Sequence, residues 1–300
     1  MKSARLSGED ALVARIARFV GVKDPRLVAG IGDDCAAVRT SAGARLLLLK
    51  TDCVVERRHF RASDDPRAVG WKAACRAVSD IASCGGEPRW AVVTCVLRPA
   101  HGGRWVDDFY RGMQKAAKRF GFSVVGGELA STDGPAVLSV AMAGEVAPRD
   151  FVTRGGGKPG DVLFVSGALG GSLESGWHLR FVPRLEQARW LVRHFRVRAM
   201  MDLSDGLAAD LPRLACASGT GFRVDPGLVP RRRGASLRRA LGEGEDFELL
   251  FAVAPNVASR LATAWRRKFP RLRLTRIGEL APRGVAEGLG HARGFDHFNR

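Results

Sequence analysis

The sequence predicts a mixed α/β (α+β) protein built from two domains of similar size. The chain has 300 residues, and this length favours two domains of about 150 residues over one larger domain. Short apolar runs that suit strands alternate with longer stretches whose apolar residues recur at helical spacing. A turn-rich segment over 152–161 interrupts the pattern, so we place the domains at 1–149 and 150–300.

The predicted elements end where glycine, proline or acidic residues interrupt the apolar pattern. In the first half they are a helix over 11–20, a strand over 45–50, a helix over 66–84, a strand over 90–97, a helix over 105–120, and strands over 122–125 and 137–143. In the second half they are a strand over 162–166, a helix from Leu185, a strand ending at Asp202, a helix over 207–217, and strands over 248–254 and 272–277.

Composition limits the compartment and the partners of the protein. No apolar run approaches the roughly 18–20 residues that cross a bilayer, and the first residues lack a signal-peptide core, so we expect a cytoplasmic protein without a membrane partner. The six cysteines form no CxxC pair, which favours buried thiols over zinc ligands or disulfides. The net charge is +17, but the basic residues are scattered and not interleaved with aromatic side chains, which argues against specific nucleic-acid binding.

Acidic residues fall at the ends of predicted strands and inside one helix, although the chain is strongly basic. They are Asp33 and Asp34 after a Gly-Ile-Gly turn, Asp52 and Glu128 after strands, Asp80 within a helix, and Asp202 and Asp205 around a strand-to-helix turn. Carboxylate oxygens are the ligands that hard divalent cations prefer. The pattern therefore predicts a Mg²⁺ site, and Mg²⁺ with a nucleotide indicates phosphoryl transfer or hydrolysis.

Two of these acidic positions have alternative explanations. Asp80 shares a helical stripe with small uncharged residues, so its carboxylate either binds a cation or pairs with a nearby arginine. The turn over 202–205 precedes a helix, where Ser204 or Asp205 would serve simply as the N-cap. A helix start also binds anions, so the residues leave both explanations open.

Two other features are weak signals of function. The glycine-rich segment over 166–172 lacks the GxxxxGK[ST] pattern of a phosphate-binding loop, so a plain loop is favoured. His59 has no second histidine close to it in sequence, and a structural or solvated histidine is the simpler explanation. The chain also lacks the GxSxG pattern of a serine nucleophile.

Eight short blocks, taken together and in this order, resemble the thiamine-monophosphate kinase family over about residues 30–298. They are GIGDDCA at 30–36, TD at 51–52 with HF at 59–60, GWKA at 70–73 with SDIA at 79–82, GGE at 126–128, TR at 153–154 with KPGD at 158–161, DLSDGL at 202–207, GEDFEL at 244–249 and GFDHF at 294–298. Each block alone is modest, but eight in register are specific. The last block separates this family from its relatives.

The resemblance implies a two-domain fold like that of aminoimidazole ribonucleotide synthetase and selenophosphate synthetase, with the N-terminal sheets of two chains forming a barrel in a homodimer. It implies direct in-line transfer of the ATP γ-phosphoryl group to thiamine monophosphate, assisted by several Mg²⁺ ions and without a covalent nucleophile. By position, the Mg²⁺ ligands would be Asp34, Thr51, Asp52, Asp80, Glu128, Asp202 and Asp205, with the backbone carbonyl of Lys50. ATP would contact Gly127, Arg154 and Ser204, and thiamine monophosphate would contact His59, Glu245 and Phe295.

The sequence also departs from the family pattern. Lys50 stands where the family usually has serine, Ala77 where it has asparagine, and Glu128-Leu129 where it has Asp-Thr. Two alternatives to an active kinase follow. One is a catalytically weakened nucleotide-binding relative, which the Glu128 change motivates. The other is an ATP-dependent ligase like aminoimidazole ribonucleotide synthetase, which would leave the C-terminal GFDHF block unexplained.

Overall fold

Within the residues that the structure describes, two six-stranded sheets, one in each half of the chain, form the framework of the protein. The computed structural model describes residues 8–40 and 43–298. The first sheet contains β1 (Leu27–Ala29), β2 (Ala36–Arg39), β3 (Leu46–Val55), β4 (Glu87–Leu97), β5 (Ser123–Ser131) and β6 (Val137–Val146). Its strand order is β1-β2-β3-β6-β4-β5, and all neighbours are antiparallel except β4 and β5.

Helices α2 (Pro66–Ser83) and α3 (Gly103–Phe120) cover one face of the first sheet, and α3 is the crossover between the parallel strands β4 and β5. Helix α2 begins where the Asp65 side chain accepts a hydrogen bond from the Arg67 amide. The helices cross closely at Gly70 and Gly112, because a Cβ on either glycine would lie 1.9 Å from a carbonyl oxygen of the other helix.

The second sheet contains β7 (Val162–Ser166), β8 (Val197–Asp202), β9 (Gly221–Val224), β10 (Leu249–Val253), β11 (Leu274–Ala281) and β12 (Ala286–Glu287). Its strand order is β12-β9-β11-β7-β10-β8, with only β12 and β9 parallel. The helices of this half are α4 (Leu185–His194), α5 (Leu207–Ala217), α6 (Leu237–Gly242) and α7 (Pro255–Lys268).

Both faces of the second sheet are buried, and one of them is shared with the first domain. Phe164 and Phe251 belong to the larger hydrophobic core, which continues through α4 and α7 into the first domain. Their strand neighbours Val165 and Leu250 belong to a smaller core with α5 and α6. This alternation is typical of a strand that is covered on both sides, and it fixes how the two domains meet.

The mixed α/β class is confirmed, but several strands run further than predicted, and two of them extend past candidate metal ligands. Strand β3 pairs with β6 over its whole length, to Val55↔Val137, and β5 pairs with β4 to Leu97↔Ser131. Asp52 and Glu128 therefore lie inside strands and not at their ends. The backbone pairing, which the apolar runs do not reveal, sets where each strand stops. The boundary that we predicted at 149/150 falls in the connection between β6 and β7.

None of the helices in the described ranges combines the length and the apolar composition that crossing a membrane requires. The N-terminal residues that argued against a signal peptide lie outside the described ranges.

Candidate active site

A cleft between the domains brings together most of the residues that the sequence singled out. Its volume is about 1290 Å³, and helix α1 (Glu9–Val20) contributes to its lining. Ligand sites commonly measure about 300–1,000 Å³, so this cleft has room for more than one small ligand. His59, Asp80, Arg154 and Asp202 all line it.

Three buried carboxylates from separate elements meet where the domains join. Asp34 lies just before β2, Asp80 lies on α2, and Asp202 is the last residue of β8; their candidate ligand atoms all lie within 4.8 Å of one another. Burial, and then the charge of Asp34, raise the pKa of Asp202 to about 7. Burial also raises the pKa of Asp80. A divalent cation would offset this crowding and accept the oxygens as ligands, so the cluster fits Mg²⁺.

Basic and hydroxyl side chains hold these carboxylates in place. Lys50 Nζ lies 2.9 Å from Asp80 Oδ1, and Arg154 Nε donates to Asp34 Oδ1 at 2.7 Å. Ser83 Oγ donates to the other oxygen of Asp34 at 2.6 Å. Of the alternatives for Asp80, the structure shows an ion pair, and its partner among the described residues is a lysine and not an arginine. The expectation that Lys50 offers only its backbone carbonyl is incomplete, because its side chain enters the cluster.

Asp52 connects the carboxylates to a second polar group. Arg76 donates to both oxygens of Asp52 and to Glu245 Oε1, each at 3.0 Å. Burial opposes ionisation of Asp52, but the charges of Arg76 and Lys50 lower its pKa. The fully buried Lys72 forms an ion pair with Glu245 and donates to the carbonyl oxygen of His59 at 2.6 Å.

The start of α5 contributes Ser204 and Asp205 to the cleft. The N-cap is Gly206, at φ +94°, and it makes no side-chain cap bond; the interpretation of Ser204 or Asp205 as the N-cap is therefore wrong. Asp205 instead donates its amide to Asp210 Oδ2 at 3.0 Å. Arg213 pairs with both carboxylates, at 2.5 Å to Asp205 and 3.0 Å to Asp210.

An aromatic group lies beside this polar network. The His59 ring lies 5.4 Å from the His297 ring, which in turn meets Phe295 edge-on at 4.8 Å. His59 Nδ1 accepts the Val55 amide at 3.0 Å, and burial together with the charges of Arg76 and Lys72 lowers the pKa of His59 to about 3. Its imidazole is therefore neutral at ordinary pH and offers a ring surface.

The side chains of the predicted metal ligands Thr51 and Glu128 do not reach the carboxylate cluster, and neither does the strand that carries the predicted ATP contact Gly127. Thr51 faces away from α2, with its hydroxyl 3.3 Å from Ser139 Oγ on β6. Gly127 and Glu128 lie on β5, which β4 and β6 separate from β3. Glu128 is exposed, and its side chain accepts only the adjacent Leu129 amide, at 3.2 Å, among the hydrogen bonds of the described residues. A single chain therefore does not place Glu128 with Asp34, Asp80 and Asp202.

The glycine-rich segment over 166–172 is engaged by acidic side chains of its own domain. The Gly170 amide donates to Asp246 Oδ2 at 2.9 Å, and the Gly171 amide donates to Glu243 Oε2 at 3.0 Å. These amides are not directed at the cleft. The structure agrees with the plain-loop interpretation.

Two features of the site were not predicted from the sequence. They are the basic residues on the inward face of α2 and the serine hydroxyl that links the two domains. Lys72, Arg76 and Asp80 are spaced by four residues and share one helical face, so the expectation that the companions of Asp80 on its stripe are small and uncharged is wrong. Charged side chains within an otherwise apolar or small-residue helix were the available signal. Ser79, which donates to Asp202 Oδ2 at 2.5 Å, gave no signal beyond its place beside Asp80.

Comparison with protein families gives two adjoining matches. The model described as AIR synthase related protein, N-terminal domain, matches residues 32–146, and the corresponding C-terminal domain model matches residues 158–288. A thiamine-monophosphate kinase of Rhodopirellula baltica is 34% identical over 277 residues, covering 86% of this chain and 85% of that protein. A thiamine-monophosphate kinase of Aquifex aeolicus is also 34% identical, over 89% of this chain and 92% of that protein.

Solved structures agree with these matches. The structure described as AaThiL complexed with AMPPCP and TMP has a TM-score of 0.85 and 31% identity, and the match covers 99% of this chain and all of that one. E. coli HypE, a hydrogenase maturation protein, has a TM-score of 0.69 at 20% identity, over 96% of each chain, and shares the fold alone.

Proposed function

Because this chain belongs to the thiamine-monophosphate kinase family, with both AIR synthase related domains, we propose that it transfers the γ-phosphoryl group of ATP to thiamine monophosphate. The products are ADP and thiamine diphosphate. The observation that carries the proposal is the buried cluster of Asp34, Asp80 and Asp202, of which Asp80 and Asp202 line an interdomain cleft large enough for both substrates. ATP as donor also supports the cytoplasm as the compartment.

The carboxylates of this chain would hold the Mg²⁺ ions that the reaction needs. Asp34, Asp80 and Asp202 form the central set, with Asp52 and Asp205 beside it in the cleft. Bound Mg²⁺ would reduce the repulsion between two phosphorylated molecules and polarise the transferred group. The protein's share of catalysis is then to align the donor and the acceptor and to exclude water, without a covalent nucleophile.

For the nucleotide we propose Arg154 and Ser204 as contacts, since both face the cleft beside the carboxylates. Arg154 is held by Asp34, so its guanidinium has a fixed position near the central set. A fixed guanidinium suits phosphate oxygens because its planar donors match them in pairs. Ser204 adds a hydroxyl at the entry to α5.

For thiamine monophosphate we propose the surface formed by His59, Phe295 and Glu245. The neutral imidazole of His59 and the ring of Phe295 can stack with the aromatic rings of thiamine. Glu245, held by Lys72 and Arg76, supplies a carboxylate next to the acceptor. The Asp52–Arg76–Glu245 chain then links the acceptor site to the metal site.

We further propose that the second copy in a homodimer covers the open face of the first sheet. Leu49, Trp90, Val92 and Val125 expose 42–59% of their surface there, a patch that single-chain proteins seldom leave open. Glu128 is in register with Thr94 on β4. Val92 lies two residues before Thr94 and therefore on the same, open face of the sheet. Pairing across this face is the route by which Gly127 and Glu128 would reach a nucleotide or metal.

ADP formation from ATP and Mg²⁺ tests the proposal against its alternatives. The purified chain is assayed with thiamine monophosphate, with thiamine and with aminoimidazole precursors. We expect ADP release only with thiamine monophosphate, together with thiamine diphosphate. Equal ADP release with and without that acceptor would refute the kinase, turnover of an aminoimidazole precursor would support the ligase, and nucleotide binding without turnover would support the weakened relative.

A further inference from the structure

The inward face of β3 and the facing side of α2 form two ion pairs. The strand supplies the cation of one pair and the anion of the other. Lys50 and Asp52 are two residues apart on the strand and therefore share a face. Arg76 and Asp80 are four residues apart on the helix and share a face as well. Lys50 pairs with Asp80 at 2.9 Å, and Asp52 pairs with Arg76 at 3.0 Å. The strand therefore contributes one cation and one anion, and the helix contributes the complement of each.

Lys50 is the basic side chain that contacts Asp80. In the described ranges, no other lysine or arginine forms an ion pair with this carboxylate. Asp34 has Arg154 as its cation, and among the described residues Asp202 has only the hydroxyl of Ser79. Lys50 therefore supplies positive charge at the point where three buried carboxylates converge.

The ammonium group occupies one side of Asp80 only. Lys50 Nζ contacts Asp80 Oδ1, and Asp80 Oδ2 has no hydrogen-bond donor among the described residues. A lysine ammonium about 2.9 Å from one oxygen offsets the carboxylate charge, as a divalent cation would at about 2.1 Å. The ammonium carries one unit of charge and does not dissociate from the chain. A serine at position 50 has no charged group, and its side chain would be too short to reach Asp80.

We propose that Lys50 is a built-in cation that fills one of the cation positions around Asp80, so that this chain binds one divalent ion fewer per protomer than it would with serine at position 50. The proposal rests on the magnesium site of the proposed function, and it concerns the number of ions, not the acceptor. It also gives the lysine, which stands where the resemblance implies a serine, a positioning role: Lys50 keeps Asp80 in place before metal and nucleotide arrive.

The test counts bound ions, using Mn²⁺ as the probe in the presence of the non-hydrolysable ATP analogue AMPPCP. Free Mn²⁺ is measured by electron paramagnetic resonance for the wild type, Lys50→Ser, Lys50→Arg and the surface control Lys118→Ser. We expect Lys50→Ser to bind one more Mn²⁺ per protomer than the wild type, and the other two variants to match the wild type. An equal count in Lys50→Ser, or an extra ion in Lys50→Arg, would overturn the proposal.

Thermal unfolding gives a readout that does not depend on counting. Lys50→Ser should melt below the wild type in EDTA, and the difference should narrow when Mg²⁺ and AMPPCP are added, because an ion then takes the place of the ammonium group. A difference that stays constant would count against the proposal, as would an unfolded variant that Mn²⁺ does not restore. If the wild type binds no Mn²⁺ with AMPPCP, the proposed function fails first, and the two failures are thereby distinguished.

Discussion

Ser79 Oγ donates a hydrogen bond to Asp202 Oδ2 at 2.5 Å and so joins α2 of the first domain to the end of β8 in the second. Asp80, the next residue, is a member of the same carboxylate cluster as Asp202. The contact therefore sets the spacing of two candidate ligands that come from different domains. If the proposed metal site forms, cleft geometry and metal binding are coupled at this point.

We predict that Ser79→Ala weakens metal binding without unfolding the protein. Asp202 loses its hydroxyl donor and is no longer held in one orientation, and loss of such a supporting contact typically costs about 10–100-fold in metal affinity. The Mg²⁺ concentration for half-maximal turnover should rise by at least about tenfold. The exposed Ser123 on β5 supplies the control, Ser123→Ala. A Ser79→Ala protein with the Mg²⁺ dependence of that control would show that the contact does not position Asp202.

Lys72→Met should destabilise the fold, because it removes one partner of a buried ion pair and leaves Glu245 with Arg76 as its one cation among the described residues. Breaking such a pair typically costs about 3–5 kcal/mol, and we expect the lower end because Arg76 remains. Urea unfolding gives the free-energy change. Adding Glu245→Gln to Lys72→Met should recover part of the loss. If Lys72→Met loses no more stability than the exposed-site variant Lys118→Met, the pair contributes nothing measurable.

The buried imidazole of His59 predicts a loss of stability in acid. Its pKa is lowered from 6.5 to about 3 in the folded protein, first by burial and then by Arg76 and Lys72. Between these values the unfolded chain binds a proton that the folded protein does not, so stability falls as the pH drops from 6.5 towards 3. By about pH 4.5 the loss from this group is on the order of 3 kcal/mol.

The variant His59→Asn isolates this contribution, since an asparagine oxygen can still accept the Val55 amide. The free energy of unfolding is measured at about pH 7 and about pH 4.5, and the difference between the two values should be roughly 3 kcal/mol smaller in His59→Asn than in the wild type. The same pH dependence in both proteins would mean that His59 titrates normally in the fold.

The open face of the first sheet predicts the effect of a charge at Val92. If a second copy covers this face, Val92→Glu places an unpaired carboxylate in an apolar interface and should yield monomers. Light scattering after size exclusion gives the mass, and turnover should fall with it, because Gly127 and Glu128 lose the paired sheet. Lys118→Glu, on the opposite side of the domain, should leave both unchanged. A Val92→Glu protein with the wild-type mass and rate would remove this face from the interface.

Much of the fold was predictable, because helix signals are local. The sequence predicted α5 with its observed ends, and it predicted the start of α2 from Pro66. The ends of β3 and β5 were not predictable in the same way, since each strand continues for as long as a distant strand pairs with it. Local apolar runs carry no information about that partner.

The acidic residues of the site were predictable from the sequence, but its basic residues were not. Asp34, Asp80 and Asp202 stood out because carboxylates in a basic chain need an explanation. Lys72 and Arg76 were overlooked because basic residues are common here, although their spacing puts them on the face of Asp80. The positions of Gly127 and Glu128 depend on the arrangement of strands in the sheet, which no local pattern specifies.

The most direct test of the account follows the phosphoryl group itself. ATP with a radioactive γ-phosphoryl group is incubated with the wild type, Mg²⁺ and thiamine monophosphate, and the products are separated by chromatography. We predict label in thiamine diphosphate in equal amount to ADP, and a loss of at least about 100-fold in Asp80→Asn, or about 3 kcal/mol, with the fold retained. Label in inorganic phosphate with thiamine monophosphate unchanged, or a near-normal rate in Asp80→Asn, would contradict the account.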